Sequence, residues 1–224
     1  MPRARGASIS ISPDEYRRLR HTVFFRFKES SSKEDVDKVV DAFQQLPEKI
    51  EEIVGFEWGE NNSPENLNDG FTHCFVLTFE DDAGREVYLP HAAHKAFGDV
   101  LRPHMADVFV IDYSGWRLLP RLEEKLRHAV YLKFKDDAAK KDVEEIEKAF
   151  ANLQTEIKEI KILEWGLNNS PEKHDDGFTH CFMLTFDSEE GRETYLKHEA
   201  HQAFGKKLGP VVDKVRVLDY WVRD

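Results

Sequence analysis

The chain repeats itself, and no other feature restricts its fold as strongly. Gly70-Phe-Thr-His-Cys-Phe75 recurs as Gly177-Phe-Thr-His-Cys-Phe182, and Asn61-Asn-Ser-Pro-Glu65 as Asn168-Asn-Ser-Pro-Glu172. Ala96-Phe-Gly98 recurs as Ala203-Phe-Gly205, and Asp112-Tyr113 as Asp219-Tyr220. Every pair is offset by 107 residues, so residues 21–113 align onto 128–220 without a gap, with about half of the positions identical. A period this long that occurs twice is a domain duplication, since solenoids repeat every 20 to 50 residues or so. The chain therefore divides into an N-terminal extension (1–20), a first domain (21–113), a linker (114–127) and a second domain (128–224). The linker contains Pro120 and little Gly or Ser, so it is no floppy tether, and a short helix from Arg121 is expected.

Each copy reads as the same series of elements. Residues 21–27, His-Thr-Val-Phe-Phe-Arg-Phe, place His21, Val23, Phe25 and Phe27 on one face of a strand and Thr22, Phe24 and Arg26 on the other. Val36, Val39, Val40, Phe43, Leu46, Ile50 and Ile53 follow at helical spacing, with Ser31 or Ser32 available as N-cap. Strands are predicted at 56–59, 71–79 and 108–113, a loop at Asn61-Asn-Ser-Pro, and a helical stretch beginning over 84–91. The order is β-α-β-β-α-β, a ferredoxin-like α+β unit with a four-stranded antiparallel sheet and helices on one face. The other face carries Phe24, Cys74 and Val76, with Tyr131, Cys181 and Met183 in the second copy. Faces this apolar are not left wet, so the two repeats are expected to pack sheet to sheet as an intramolecular dimeric α/β barrel, and the chain to be a monomer.

Composition excludes several partners. The net charge of −11 argues against nucleic acid and anionic membranes, which both require basic surface. No apolar run approaches 18 residues, and Met1-Pro-Arg-Ala-Arg-Gly lacks the apolar stretch of a secretory signal. Two cysteines do not form a disulfide scaffold, so a cytoplasmic setting is expected, and the Asn-Asn-Ser segments read as turns and not as glycosylation sites.

Eight of the ten histidines form pairs at the repeat offset: His21/His128, His73/His180, His91/His198 and His94/His201. Tyr88 and Tyr195 accompany them. His91 and His94 stand at i, i+3 without carboxylates at ligand spacing, so no metal site is expected. As acid/base groups the set is coherent, because histidine changes charge near neutral pH and a tyrosine can stabilise an oxyanion. An apolar pocket between sheet and helices, lined by Phe25, Phe27, Phe75, Leu77 and Phe43, would receive a small apolar or aromatic molecule. Tyr88 and His94 are six residues apart, about 240° around an ideal helix. They meet only if the helix restarts, and Pro90 is placed to restart it in copy one, whereas copy two has Lys197 there.

Trp58-Gly59, Gly-Phe-Thr-His, Tyr-x-x-His-x-x-His-x-x-Phe-Gly and the terminal Asp-Tyr together resemble the stress-responsive A/B barrel family of dimeric α/β barrel domains, over nearly all of both repeats. The resemblance implies two ferredoxin-like units joined through their sheets. The family includes plant stress-induced proteins and a cofactor-independent polyketide cyclase that closes its product by an aldol condensation. By that likeness Tyr88, His94, Tyr195 and His201 would be catalytic. The likeness also makes His21, His73, His128 and His180 pocket histidines; Phe25, Phe27, Phe75 and His91 are expected to complete the lining of the first pocket, and Leu132, Phe182 and His198 that of the second. No cofactor is implied. The expected function is a stress-associated protein with a ligand pocket in each half, or a cyclase-like lyase. A heme-binding or small monooxygenase role on the same architecture is a further alternative.

Overall fold

The computed structural model describes residues 17–116 and 124–223. The first half runs β1 (Arg17–Phe27), α1 (Lys33–Gln44), α2 (Leu46–Lys49), β2 (Ile53–Glu60), β3 (His73–Phe79), α3 (Asp82–Tyr88), α4 (Ala92–Leu101) and β4 (Met105–Trp116). The second runs β5 (Leu126–Phe134), α5 (Lys140–Glu156), β6 (Ile162–Leu167), β7 (His180–Phe186), α6 (Glu189–Lys197), α7 (Glu199–Leu208) and β8 (Val212–Trp221). The sheets have the orders β2-β3-β1-β4 and β6-β7-β5-β8, with every pairing antiparallel. This is the expected ferredoxin-like architecture, formed twice. The start of the linker helix expected from Arg121 lies outside the described residues, and the chain is already strand at Leu126.

Two differences from the sequence reading have local causes. The long first helix stops at Gln44, and Ile53 opens β2 instead of continuing the helical stripe. Pro47 lacks the N–H that an uninterrupted helix would bond to Phe43, and it sits in the first turn of the short α2, where that N–H is not needed. Copy two has Gln154 in its place, and α5 runs unbroken to Glu156. The cap of α1 is Ser32, which forms a reciprocal capping box with Asp35.

Strand alternation separates two kinds of core. Val23, Phe25, Phe75 and Leu77 face the helices of the first half, where Phe43 stacks on Phe75 at 4.2 Å between ring centroids. Phe150 and Phe182 repeat this contact at 4.0 Å in the second half. The opposite faces meet each other: Phe24, Cys74, Val76, Phe109 and Tyr113 pack with Tyr131, Cys181, Met183 and Tyr220 in one buried cluster. Phe24 and Phe109 both meet Tyr131 edge-on, at 5.5 and 5.1 Å.

The sheets also join at their edges. Trp58 of β2 exchanges both backbone hydrogen bonds with Arg223, just past β8. A Cβ on Gly59 would sit 2.4 Å from the Trp221 carbonyl, so only glycine lets the strands approach this closely. Each repeat's loop after its second strand crosses to the other repeat: Val110 N–H donates to the His174 carbonyl, and Val217 N–H to that of Leu67. These bonds occupy edge groups of β4 and β8 that would otherwise stay open to pairing.

Candidate active site

His21 stands on β1 with Val23 and Phe25, facing α3 and α4. Its Nδ1 lies 2.7 Å from Asp112 on the neighbouring β4, both groups buried. The second Asp112 oxygen accepts from Arg85 of α3, also at 2.7 Å. Arg85 donates further to the Asn169 side chain and carbonyl, and Asn169 N–H donates to the Asp112 carbonyl. The second half repeats the arrangement with His128, Asp219, Arg192 and Asn62. The Asn-Asn-Ser-Pro-Glu segments are thus more than turns: each braces the buried His-Asp-Arg chain of the other repeat.

Burial works against the charged form of His21, but the facing Asp112 and, further off, Glu172 outweigh it and raise its pKa. His128 is raised for the same reasons, by Asp219 and Glu65. Asp112 is lowered: burial opposes its ionisation, and His21 with Arg85 overcome that penalty. The Asp112 carboxylate thus favours the protonated, ion-paired form of His21 more than water would favour that of a free imidazole.

Tyr88 and His94 do meet. Their rings stack with centroids 4.2 Å apart, and Tyr195 and His201 lie 4.3 Å apart. The break between α3 and α4 that brings them together does not depend on Pro90, since α6 and α7 are broken in the same place at Lys197-His198. The common cause is a histidine N-cap. His91 Nδ1 accepts from Ala93 N–H at 3.1 Å, and His198 from Ala200 N–H at 3.2 Å. Each new helix therefore starts there. Replacing His91 with Ala should cost about 0.5–2 kcal/mol of stability, the usual value of a cap, and a thermal melt within error of the parent would contradict the capping role.

His94 Nδ1 lies 3.1 Å from the Leu89 carbonyl, and His201 Nδ1 3.2 Å from that of Leu196. A carbonyl only accepts, so Nδ1 carries the proton and Nε2 keeps its lone pair. Burial lowers the pKa of both rings more than the backbone bond raises it. Tyr88 and Tyr195 are fully buried, which pushes their hydroxyls well above the ordinary value and keeps them protonated. One small space thus holds a histidine whose pKa is lowered, a tyrosine kept protonated and a second histidine whose pKa is raised, a divergence of the kind that can separate acid and base roles.

These groups line a cavity of about 360 Å³ in the first half. Its walls are apolar, with Val23, Phe25, Phe43, Phe97, Leu101, Met105 and Val110, and Tyr88, His21 and His94 supply the polar groups. Glu172 and His174 reach it from the crossing loop of the second repeat. Glu172 lies 3.7 Å from His21 Nε2, and Glu65 lies 3.8 Å from the His128 ring.

The expected pocket set is only partly assembled. His21, Phe25, Tyr88 and His94 share the cavity, whereas Phe27, His73, Phe75 and His91 are not among its lining residues. Phe75 is fully buried beneath α1, and Phe182 and Leu132 are likewise core in the second half. His73 sits at the start of β3 against Phe27, with ring centroids 5.1 Å apart, and burial lowers its pKa. His180 packs on Phe134 and lies 3.0 Å from Glu147 of α5. Asp112, Arg85, Glu172 and Asn169 were not singled out from the sequence, although Asp112/Asp219 and Glu65/Glu172 stand in motifs that recur at the 107-residue offset. No group of three or more metal-ligating side chains occurs among the described residues.

Two ferredoxin-like units closed face to face, with an acid/base cavity between sheet and helices, define a two-half α/β barrel. The model of the stress responsive A/B barrel domain matches residues 19–115 and again 126–222, and the chain belongs to that family. A stress-response A/B barrel domain-containing protein of Arabidopsis thaliana, HS1, is 37% identical over 96 residues, 43% of this chain and 88% of that protein. Olivetolic acid cyclase of Cannabis sativa is 33% identical over 98 residues, 44% of this chain and 97% of that enzyme. An anthrone oxidase-like protein of solved structure covers 94% of this chain and 93% of its own, with a TM-score of 0.65 and 12% identity, a likeness of fold alone. No helix among the described residues is long and apolar enough to cross a membrane.

Proposed function

We propose that this stress-responsive A/B barrel protein binds a small, largely apolar organic molecule in each half and performs cofactor-independent acid/base chemistry on it, as a cyclase or lyase. The observation that carries the reading is the contact of Tyr88 with His94 on the wall of an apolar cavity, repeated by Tyr195 and His201. Support also comes from the similarity to a protein named as a cyclase over 97% of that protein's length.

The chemistry follows from the protonation states. His94 Nε2 takes a proton from a carbon next to a carbonyl. The C–H electron pair moves onto the carbonyl oxygen, where Tyr88 and protonated His21 donate hydrogen bonds to the developing charge. In a substrate with a second carbonyl, the enolate carbon attacks it, a C–C bond forms, and His94 returns the proton to the new alkoxide. Atoms and electrons balance without oxidant or cofactor. The apolar walls exclude water, which would otherwise compete for both the base and the oxyanion.

The test is a panel of linear poly-β-carbonyl acids and thioesters incubated with the full chain, with products followed by mass spectrometry. Replacing His94 and His201 together with Ala should lower turnover by about 10²–10⁴-fold, the usual worth of a positioned base, with an unchanged circular dichroism spectrum. Because burial lowers the His94 pKa, the base form persists below the ordinary histidine value of 6.5, and the rate should fall only as pH drops past that depressed value. Full activity in the double variant would reduce these histidines to packing residues.

A further inference from the structure

Each residue lining the first cavity has a counterpart 107 residues away in the other repeat, and at the rim the counterparts differ in chemistry. In the first half the rim carries Lys95 on α4, Arg102 at the end of that helix and His174 from the crossing loop, all exposed. At the 107-residue offset these become Gln202, Gly209 and Leu67. The positions are structurally equivalent. Arg102 and Gly209 are the C-caps of α4 and α7, and the carbonyls of His174 and Leu67 accept matching bonds from Val110 and Val217. Three polar or cationic groups around the first mouth are therefore one amide, one glycine and one leucine at the equivalent positions of the other repeat.

We infer that the two halves take ligands of different charge. The first cavity binds an organic acid, with its apolar body inside and its anionic group at the rim beside Lys95 and Arg102, and the second half binds a neutral apolar molecule. The inference rests on the reading that these sites hold small organic molecules.

The charge balance favours an anion at the first rim. Arg102 shares its guanidinium with Asp99, which does not line the cavity. The Lys95 ammonium has no ion pair or hydrogen bond among the described residues, so its charge is available. His174 adds a ring N–H whichever tautomer it holds. The one carboxylate lining the cavity is Glu172, and it faces His21 Nε2 at 3.7 Å. The cavity lining therefore carries one carboxylate against the two cations Lys95 and Arg102. An ion at the mouth stays solvated, so the Coulomb gain is modest per contact and screened by salt, and its main effect is to select between ligands of the same shape.

The probes are 4-(trifluoromethyl)benzoate and 4-(trifluoromethyl)benzyl alcohol, alike in shape and different in charge, titrated into the full chain and followed by fluorine NMR at low ionic strength. The carboxylate should bind one site about fivefold more tightly than the alcohol, a preference that shrinks as salt is added. Lys95→Gln, Arg102→Gly and His174→Leu together should abolish the preference and leave the affinity for the alcohol unchanged. The reciprocal Leu67→His, Gln202→Lys and Gly209→Arg should create a second carboxylate site, and this gain does not depend on the first variant folding well. Equal binding of both probes by the unmodified chain, or a preference that survives the first triple substitution, would overturn the rim assignment and leave the cavity reading standing. Failure of both probes to bind at millimolar concentration would instead remove the cavity reading, and the rim assignment with it.

Discussion

Residues 1–115 expressed alone are expected to form a homodimer, or to fail to fold, and not to give a stable monomer. The reason is the second core. Phe24, Phe71, Cys74, Val76, Phe109, Ile111 and Tyr113 are buried only because the other repeat covers them. Each large apolar side chain contributes about 1.5–3 kcal/mol when buried, so exposing these seven removes on the order of 10–20 kcal/mol. Whole domains are stable by only about 5–15 kcal/mol, so an isolated half lacks a margin. A second copy of the same half offers a nearly equivalent face, since Tyr131, Cys181 and Met183 of one half correspond to Phe24, Cys74 and Val76 of the other. It also offers the Asn61–Asn62 loop for the Arg85–Asp112 pair. The full chain, which satisfies both faces internally, is expected to remain monomeric. Light scattering with a urea titration of both proteins decides the matter. A cooperative, non-associating monomer from residues 1–115 would mean that the sheet faces are not what holds the halves together.

Asp112→Ala should be the most damaging single substitution at the site. Asp112 is fully buried and pairs with two buried side chains at once, His21 and Arg85. Removing it leaves both without their carboxylate, and breaking a buried pair in this way costs about 3–5 kcal/mol. Asp112→Asn keeps the shape and an acceptor oxygen and should cost less. The pH dependence distinguishes this charge effect from packing. His21 has its pKa raised by folding, so its contribution is complete below the unfolded value of about 6.5 and is lost as pH rises through the folded value. Asp112 has its pKa lowered, so its contribution is complete above about 3.8 and is lost as pH falls through the folded value. The stability gap between the parent and Asp112→Asn should therefore be widest from just above pH 4 to about pH 6.5 and narrow on both sides. A gap that stays constant from pH 3 to 9 would show that the pair acts through packing alone.

The repeat, the strand alternation and the apolar second face were all legible in the sequence, and they were sufficient for the architecture. Alternation makes Phe24 and Phe25 face opposite ways whatever the rest of the chain does, so the two cores separate as expected. The Tyr88–His94 contact was also anticipated, but its cause was not. Pro90 occupies the break in one copy only, whereas the histidine side chain at His91 and His198 caps the new helix in both. A histidine cap has no distinctive sequence pattern, so a repeated histidine in a helical stretch was assigned to the pocket when its work is on the backbone. His73 was misplaced for a different reason. Sharing a strand face with Phe75 and Leu77 fixes which side of the sheet it occupies but not how far along the strand it stands, and it lies at the end beside Phe27, away from the cavity lining.

What remained for the tertiary structure was everything carried between the halves. Asp112 is 91 residues from His21, and Asn169 is 84 from Arg85. Periodicity reports only which face a residue occupies, and a motif reports only its neighbours in the chain, so neither can pair groups at such separations. The sequence alone determined that two equal α/β units exist, which of their faces are apolar, and that a tyrosine and several histidines recur in each. Only the folded chain decided that the Asn-Asn-Ser-Pro-Glu loop of one half braces the buried His-Asp-Arg chain of the other and brings Glu172 to the first cavity. The physical reason is that packing two twisted sheets face to face leaves their edges and connecting loops in contact, and those contacts depend on the three-dimensional closure of the barrel.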